Sequence, residues 1–148
     1  MHKEELEAFL AKPNDAIIAV NRPEKGAQLT PVWFLWDGGV FYFSTQKATA
    51  KYFNMKRDPK ISVMINDTAA HSYVTAHGQA EILEMREVNP ELAGKMLEKY
   101  VPEEQREQFA AMIASAQTSE RVVIKLRPEK MVSFIAPAPS AASSTVGD

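Results

Sequence analysis

Cysteine is absent from this 148-residue chain, long apolar runs are missing, and neither sign of charge is in large excess. The lack of cysteine excludes disulfides, thiolate metal ligands and a cysteine nucleophile. The longest apolar runs, at residues 16–20 and 32–36, are far shorter than the roughly 20 residues that cross a bilayer. The N-terminal segment has no apolar stretch of the kind found in secretory signals. We therefore expect a cytoplasmic protein with no membrane span.

The formal net charge is only −2, which gives no general attraction to nucleic acid or to an anionic membrane. A local basic patch can still bind a small anion, so the expected partner is a small molecule. His71 and His77 are six residues apart. Along a strand that spacing separates them by roughly 20 Å at about 3.3 Å per residue, too far to hold one ion. No metal site is expected.

Apolar patterning predicts one domain that is mainly β with helices, and a hydrophobic content of 45% can supply its core. Helices are predicted at 4–11, 45–57, 87–100 and 103–117. Antiparallel strands are predicted at 16–20, 28–36, 40–44, 61–66, 72–83, 121–126 and 131–135. This domain spans residues 1–135. Residues 136–148 are biased toward Pro, Ala and Ser and are expected to form a disordered tail.

Three local signals refine the predicted strands. Asp37 and Gly38 form a strong hairpin signal between the second and third strands. Pro31 lacks a backbone donor, so it is expected at a sheet edge, at a bulge or where the barrel opens. Gly78 is expected to mark a β-bulge in the strand at 72–83.

The segment between the third strand and the next helix combines hydroxyl and basic side chains. Helix dipoles and free N–H groups favour an anion at such a terminus, and Ser44 and Thr45 add hydroxyl donors. Lys47 and Lys51 are four residues apart and are predicted to share one helix face, where a bound anion would relieve their repulsion. Two simpler interpretations stay open: the lysines solvate an exposed helix, and Thr49 is an N-cap.

Two sets of residues match the motifs of a known family. The positions in the first half of the chain are Thr30, Pro31, Val32, Trp33, Phe34, Trp36, Asp37, Gly38, Tyr42, Ser44, Thr45, Lys51, Asn54, Arg57, Asp58 and Pro59. In the second half they belong to a glycine-containing strand and to a closing strand that begins at Arg121. With these residues the chain resembles the pyridoxamine 5'-phosphate oxidase-like split-barrel family, in particular its coenzyme F420-dependent flavin/deazaflavin oxidoreductase branch (FDOR-B). The resemblance covers residues 6–134.

The resemblance implies an FMN-binding split β-barrel of six to seven antiparallel strands, forming a homodimer with the cofactor in a groove between protomers. Many relatives carry an arginine where this chain has Thr49, and Lys47 is the candidate to compensate. The implied cofactor-binding residues are Gln28, Thr30, Pro31, Val32 and Trp33 along the ring, and Ser44, Thr45, Lys47, Ala48, Thr49 and Lys51 at the phosphate end.

Trp33 is the aromatic residue favoured for the groove, whereas Phe34 and Trp36 are expected in the core. His71 and Tyr73 match positions that approach the substrate side in the resembled family. An exposed turn histidine and an ordinary sheet tyrosine are the alternative interpretations of these two residues.

The resemblance implies a reductase that transfers a hydride from reduced F420 to a small electron-poor organic molecule. An FMN-dependent oxidase or reductase and a non-catalytic carrier of a cofactor or planar ligand are the alternatives. No Ser-His-Asp order or nucleophile elbow supports hydrolysis. The absence of a catalytic motif agrees with redox chemistry, because the cofactor carries the hydride and the protein supplies binding and orientation.

Overall fold

The computed structural model describes residues 2–115 and 120–137. Within them, strands and helices follow one another as expected for a mainly β protein with helices. The helices are α1 (Lys3–Ala11), α2 (Ala50–Arg57), α3 (Glu91–Tyr100) and α4 (Glu103–Ser115). The strands are β1 (Ala16–Val20), β2 (Gln28–Val32), β3 (Leu35–Asp37), β4 (Val40–Gln46), β5 (Lys60–Asp67), β6 (Ser72–Glu84), β7 (Arg121–Leu126) and β8 (Lys130–Phe134). From residue 138 onward, the predicted tail lies outside the described residues.

All strand pairs are antiparallel, and the order across the sheet is β2-β1-β5-β6-β7-β4-β3, with β8 beside β6. Strand β6 is 13 residues long and joins the two halves of the sheet. Its residues 72–79 pair with β5, whereas its residues 80–84 pair with β7. The sheet curls around one side-chain core into a half-barrel. This confirms the antiparallel architecture, but the described residues form eight strands where six or seven were expected.

The extra strand arises because the predicted strand 28–36 is divided into β2 and β3. The ladder between β1 and β2 ends at Val32, and the chain bends at Trp33 and Phe34 before β3 begins. Strict alternation predicts that Phe34 and Leu35 face opposite sides of one strand. Both are buried, because the bend interrupts the alternation.

Helix α2 begins five residues later than the predicted helix at 45–57. Strand β4 continues through Gln46, which pairs with Arg121 of β7, so residues 45 and 46 are extended. The helix starts after Thr49, whose side chain accepts a hydrogen bond from the Tyr52 N–H at 3.2 Å. The N-cap interpretation of Thr49 is therefore confirmed. The expectation that Lys47 and Lys51 share one helix face is wrong, because Lys47 precedes the helix.

The prediction for Pro31 is confirmed, whereas the prediction for Gly78 is wrong. Pro31 lies on β2, which is an edge strand, as its missing backbone donor predicts. The predicted bulge at Gly78 is wrong, because Gly78 pairs in regular register with Ile61. A Cβ at this position would lie 2.8 Å from both the Arg127 carbonyl oxygen and Leu126 Cδ1. Glycine is needed here because another segment of backbone approaches closely.

The core is formed by the inward faces of the strands together with α1 and α2. In the register, Ile18 lies opposite both Thr30 of β2 and Val63 of β5, so these side chains share the inward face. The largest fully buried side chains are Phe34, Phe41, Phe43, Leu10, Ile18, Met55, Ile65, Ile124 and Leu126. None of the helices in the described part of the chain is long and apolar enough to span a bilayer.

Candidate functional site

The turn between β4 and α2 is built by hydroxyl side chains that bond to one another and to the backbone. Thr45 is buried, and its Oγ1 lies 3.2 Å from Thr49 Oγ1. Thr49 also donates to the Gln46 carbonyl at 2.8 Å. Ser44 donates to the Val122 carbonyl at 3.1 Å. These hydroxyls therefore shape the turn and anchor it to β7.

Lys51 and Arg121 place two positive charges beside this turn. Arg121 donates through Nε to Ser44 Oγ at 3.1 Å, which fixes the guanidinium next to β4. Burial lowers the pKa of Lys51, and the charge of Arg121 lowers it further. Among the described residues, no carboxylate forms an ion pair with Lys51. A bound anion would stabilise this arrangement, because it would offset both the burial and the repulsion.

Lys47 does not contribute free charge to the turn. Its ammonium group forms an ion pair with Glu84 of β6 at 3.0 Å. Its backbone N–H donates to the Glu120 carbonyl at 2.8 Å. Ala48 is exposed between these groups and the start of α2. The ion pair neutralises the charge that was expected to compensate for the missing arginine at Thr49.

Helix α2 also contacts the start of β2, where the ring-binding residues are expected. Asn54 donates through Nδ2 to Gln28 Oε1 at 3.2 Å. Asn54 follows Lys51 by three residues, so the two side chains lie on neighbouring positions of one helix face. Two residues further along β2, the Thr30 hydroxyl is buried and has no hydrogen-bond partner among the described residues. A buried hydroxyl of this kind is costly unless it finds a partner.

Beyond half-buried Val32, Trp33 lies at the surface of the bend and Phe34 in the core. Trp33 keeps 40% of its surface exposed and stacks on Tyr100 of α3, with ring centroids 4.8 Å apart and an interplanar angle of 3°. Phe34 is fully buried, and half-buried Trp36 packs against Phe41. The core positions expected for Phe34 and Trp36 are therefore confirmed.

His71 and Tyr73 lie near the turn between β5 and β6. His71 is exposed, with a φ of 51°. Tyr73 stacks on Phe134 of β8, with ring centroids 6.2 Å apart. In the described part of the chain, no hydrogen bond or ring contact links either residue to the β4–α2 turn. The single chain thus brings together Gln28, α2 and the turn, but does not bring His71 or Tyr73 to them.

The outward side of the sheet half formed by β2, β1, β5, β6 and β8 carries several exposed large apolar side chains among polar ones such as Ser62, Thr75 and His77. Five of the apolar side chains keep 37% to 64% of their surface accessible. Together with exposed Pro31 we call them the outer apolar face. The register places them on that side, opposite the core-facing residues. Several large apolar side chains exposed on one face of a sheet are typical of an interaction surface. The outer apolar face consists of Leu29, Pro31, Met64, Tyr73, Val132 and Phe134.

A sequence profile described as pyridoxamine 5'-phosphate oxidase matches residues 2–134. The chain belongs to this family. The match confirms the split-barrel fold and assigns this pyridoxamine 5'-phosphate oxidase-like chain to oxidoreductases of the flavin and deazaflavin type, which bind flavin-type cofactors. No curated protein matched it in a sequence comparison.

Solved structures support the same family fold. One described as an F420 reductase is 25% identical, with a TM-score of 0.67, and the match covers 85% of this chain and 94% of that one. A conserved hypothetical protein, Rv2991 from Mycobacterium tuberculosis, is 22% identical, with a TM-score of 0.71 and coverage of 99% and 95%. General stress protein 26 from Bacillus anthracis is 18% identical, with a TM-score of 0.68 and coverage of 93% and 97%. The last two likenesses concern the fold alone.

The residues of the candidate site fit a flavin-type cofactor with a phosphate group. Lys51 has no carboxylate partner within the described ranges, and the charge of Arg121 lies close enough to lower its pKa, so a phosphate would balance both cations. Sequence reasoning assigned Arg121 only to the closing strand and missed its place beside Lys51. That place depends on the pairing of β4 with β7, which no local signal in the sequence predicts.

Proposed function

We propose that this protein is an F420-dependent reductase of the FDOR-B branch, which transfers a hydride to a small electron-poor organic molecule. The observation that carries the proposal is the juxtaposition of Lys51 and Arg121 beside the N-terminus of α2, with no described carboxylate paired to Lys51. The likeness to a structure described as an F420 reductase supports the choice of cofactor.

In this proposal the phosphate end of the cofactor is held at the β4–α2 turn. Lys51 and Arg121 supply the positive charge, and the first N–H groups of α2 supply hydrogen-bond donors. Ser44, Thr45 and Thr49 keep the turn in shape through the hydrogen bonds described above. Arg121 then takes the place of the arginine that relatives carry where this chain has Thr49.

The ring of the cofactor lies along β2 in this proposal, between Gln28 and Trp33. Gln28 is held by Asn54 and Trp33 gives an aromatic surface, whereas the Thr30 side chain faces the core, so that Thr30 can offer the ring only its backbone. When bound, the ring supplies the hydride. The chain's own residues bind it, orient it and exclude water from one side of it.

We further propose that two copies of the chain associate through the outer apolar face. Tyr73 belongs to this face, and His71 lies two residues before it. A partner chain seated there would bring these residues toward a shared groove, where they would orient the substrate. Association would also remove a large exposed apolar surface from water, which is favourable by about 25 cal/mol per Å².

An FMN-dependent oxidase or reductase is the second candidate function. It is favoured by the family match itself, because the profile that matches residues 2–134 is described as pyridoxamine 5'-phosphate oxidase. The same turn and strand would hold FMN, since both cofactors carry a phosphate and a flat tricyclic ring.

A titration of the purified protein with F420 and with FMN, followed by cofactor fluorescence, separates these functions. We expect micromolar or tighter binding of F420, and reduction of a nitroaromatic acceptor faster than by free reduced F420. Binding of FMN without binding of F420 would replace the proposal by the second candidate. Binding without any turnover above the free cofactor would instead indicate a carrier protein.

A further inference from the structure

The last two residues of α3 hold the bend between β2 and β3 through its backbone. Lys99 donates to the carbonyl oxygens of Phe34 and Leu10, both at 2.9 Å. The Tyr100 hydroxyl accepts from the Phe34 N–H at 3.1 Å and donates to the Asn14 carbonyl at 2.8 Å. Both backbone groups of Phe34, which lie outside the strand ladders, are thus satisfied by side chains that follow them by 65 and 66 residues.

The same two side chains contact the rings of the bend. The Lys99 ammonium lies 3.4 Å from the centroid of the Phe34 ring. The Tyr100 ring stacks on Trp33, and Phe109 of α4 lies against the indole at a centroid distance of 6.3 Å. Lys99 is half-buried and forms no ion pair with a carboxylate of the described residues. Lysine ammonium groups usually remain in water, so the burial of Lys99 calls for a structural reason. Its contacts with the bend provide that reason.

We propose that Lys99 and Tyr100 are positioning residues, which fix the Trp33–Phe34 bend and the plane of the Trp33 indole so that Trp33 forms an aromatic wall for a planar ring. This inference rests on the proposed function, because it takes β2 as the strand along which the cofactor ring lies. It assigns a role to the helical pair α3–α4, which the proposed function leaves unused.

Trp33 needs this support because it lies just beyond the end of the β1–β2 ladder. Residues within β2 are held by the ladder to β1, but this ladder stops at Val32. Trp33 therefore depends on Tyr100 and Phe109 for the direction of its ring. A preorganised aromatic surface binds a flat ring more tightly than a mobile one, because less conformational freedom is lost on binding.

Four variants separate positioning from general stability. Tyr100→Phe keeps the stacked ring and removes the hydroxyl, Tyr100→Leu removes both, and Lys99→Met keeps the aliphatic stem and removes the charge. Lys95→Met is the matched control, because Lys95 lies on the same helix but pairs with Asp37 at 3.6 Å and does not contact the bend.

The measurements are made on the full chain carrying Trp36→Phe, which leaves Trp33 as the single tryptophan. Acrylamide quenching of Trp33 in the cofactor-free protein reports the position of the indole, and titration with F420 and FMN reports affinity. We expect Tyr100→Leu to increase quenching clearly and weaken cofactor binding about tenfold. Tyr100→Phe and Lys99→Met should weaken binding about two- to tenfold, the range expected for one hydrogen bond. The control should change neither quantity.

Unchanged quenching and unchanged affinity in Tyr100→Leu would overturn the inference while the proposed function stands. If the parent binds neither cofactor, the proposed function fails instead, and the quenching still shows whether α3 fixes Trp33. If Tyr100→Leu does not fold, Tyr100→Phe and Lys99→Met decide: parental affinity and parental quenching in both refute the inference.

Discussion

Substitution of Lys51 by alanine tests the candidate phosphate site most directly. Lys51 is half-buried next to Arg121, and no described carboxylate neutralises it. A charge-assisted hydrogen bond to a phosphate contributes about 1.5–3 kcal/mol, which corresponds to roughly a ten- to hundredfold change in Kd. We therefore expect Lys51→Ala to weaken binding of F420 or FMN by that factor, measured by fluorescence titration.

Lys51→Ala should weaken cofactor binding without lowering the stability of the cofactor-free protein. Removing Lys51 relieves both the cost of burial and the repulsion from Arg121, and alanine is a better helix former. The thermal midpoint of Lys51→Ala without cofactor should therefore equal that of the parent or exceed it slightly. Loss of affinity together with preserved stability is the signature of a binding residue and not of a structural one.

Lys47→Ala is the matched control, because it removes the same charge four residues earlier, in the turn that precedes α2. The Lys47 ammonium is already paired with Glu84, so its loss should weaken binding much less than the loss of Lys51. Parental affinity in Lys51→Ala, or a larger loss in Lys47→Ala, would refute the placement of the phosphate end at this turn. The proposed groove along β2 would then have to be abandoned as well.

Three further predictions concern the assembly and the fold. Light scattering should give twice the 16.5 kDa mass of the chain, and Val132→Asp on the outer apolar face should give a folded monomer; a monomeric parent would contradict this. Gly78→Ala should lower the free energy of unfolding by about 1–3 kcal/mol, since its Cβ would press against the Arg127 carbonyl; urea denaturation with no loss would contradict it. Burial lowers the pKa of Lys99 to about 8. The unfolded state then binds more protons between pH 8 and 10.5, so the stability of the parent relative to Lys99→Met should rise from pH 8 to pH 10; a flat difference in urea unfolding would refute this.

Features set by neighbours in the sequence were predicted well. The hairpin at Asp37 and Gly38 is present, and Gly38 and Gly39 have φ angles of 60° and 80°, which favour glycine. The edge position of Pro31 follows from the donor that proline lacks.

Features set by distant segments could not be read in this way. The bend at Trp33 and Phe34 is held by Lys99 and Tyr100, which belong to a helix far along the chain. A glycine within a strand suggested a bulge at Gly78, but the structure has none there. Glycine is required at this position because the backbone at Arg127 approaches closely.

The candidate site also depends on contacts between distant segments, which the sequence alone did not predict. The late start of α2 follows from the pairing of β4 with β7, and that pairing also brings Arg121 to Ser44. Sequence reasoning placed Lys51 in the site but expected Lys47 to be its cationic neighbour. Arg121 has that position in the fold, whereas Lys47 is paired with Glu84.

The length of β6 has a consequence for how the molecule opens. Its first eight residues bond to β5 and its last five to β7, so neither half of the sheet can separate without losing hydrogen bonds of the same strand. Local fluctuations should therefore be largest in the strands that have a single partner, β2, β3 and β8. Amide hydrogens of residues 73–77, which lie between β5 and β8, should exchange with solvent only through global unfolding, so β6 links the half of the sheet next to the β4–α2 turn to the half that carries the outer apolar face.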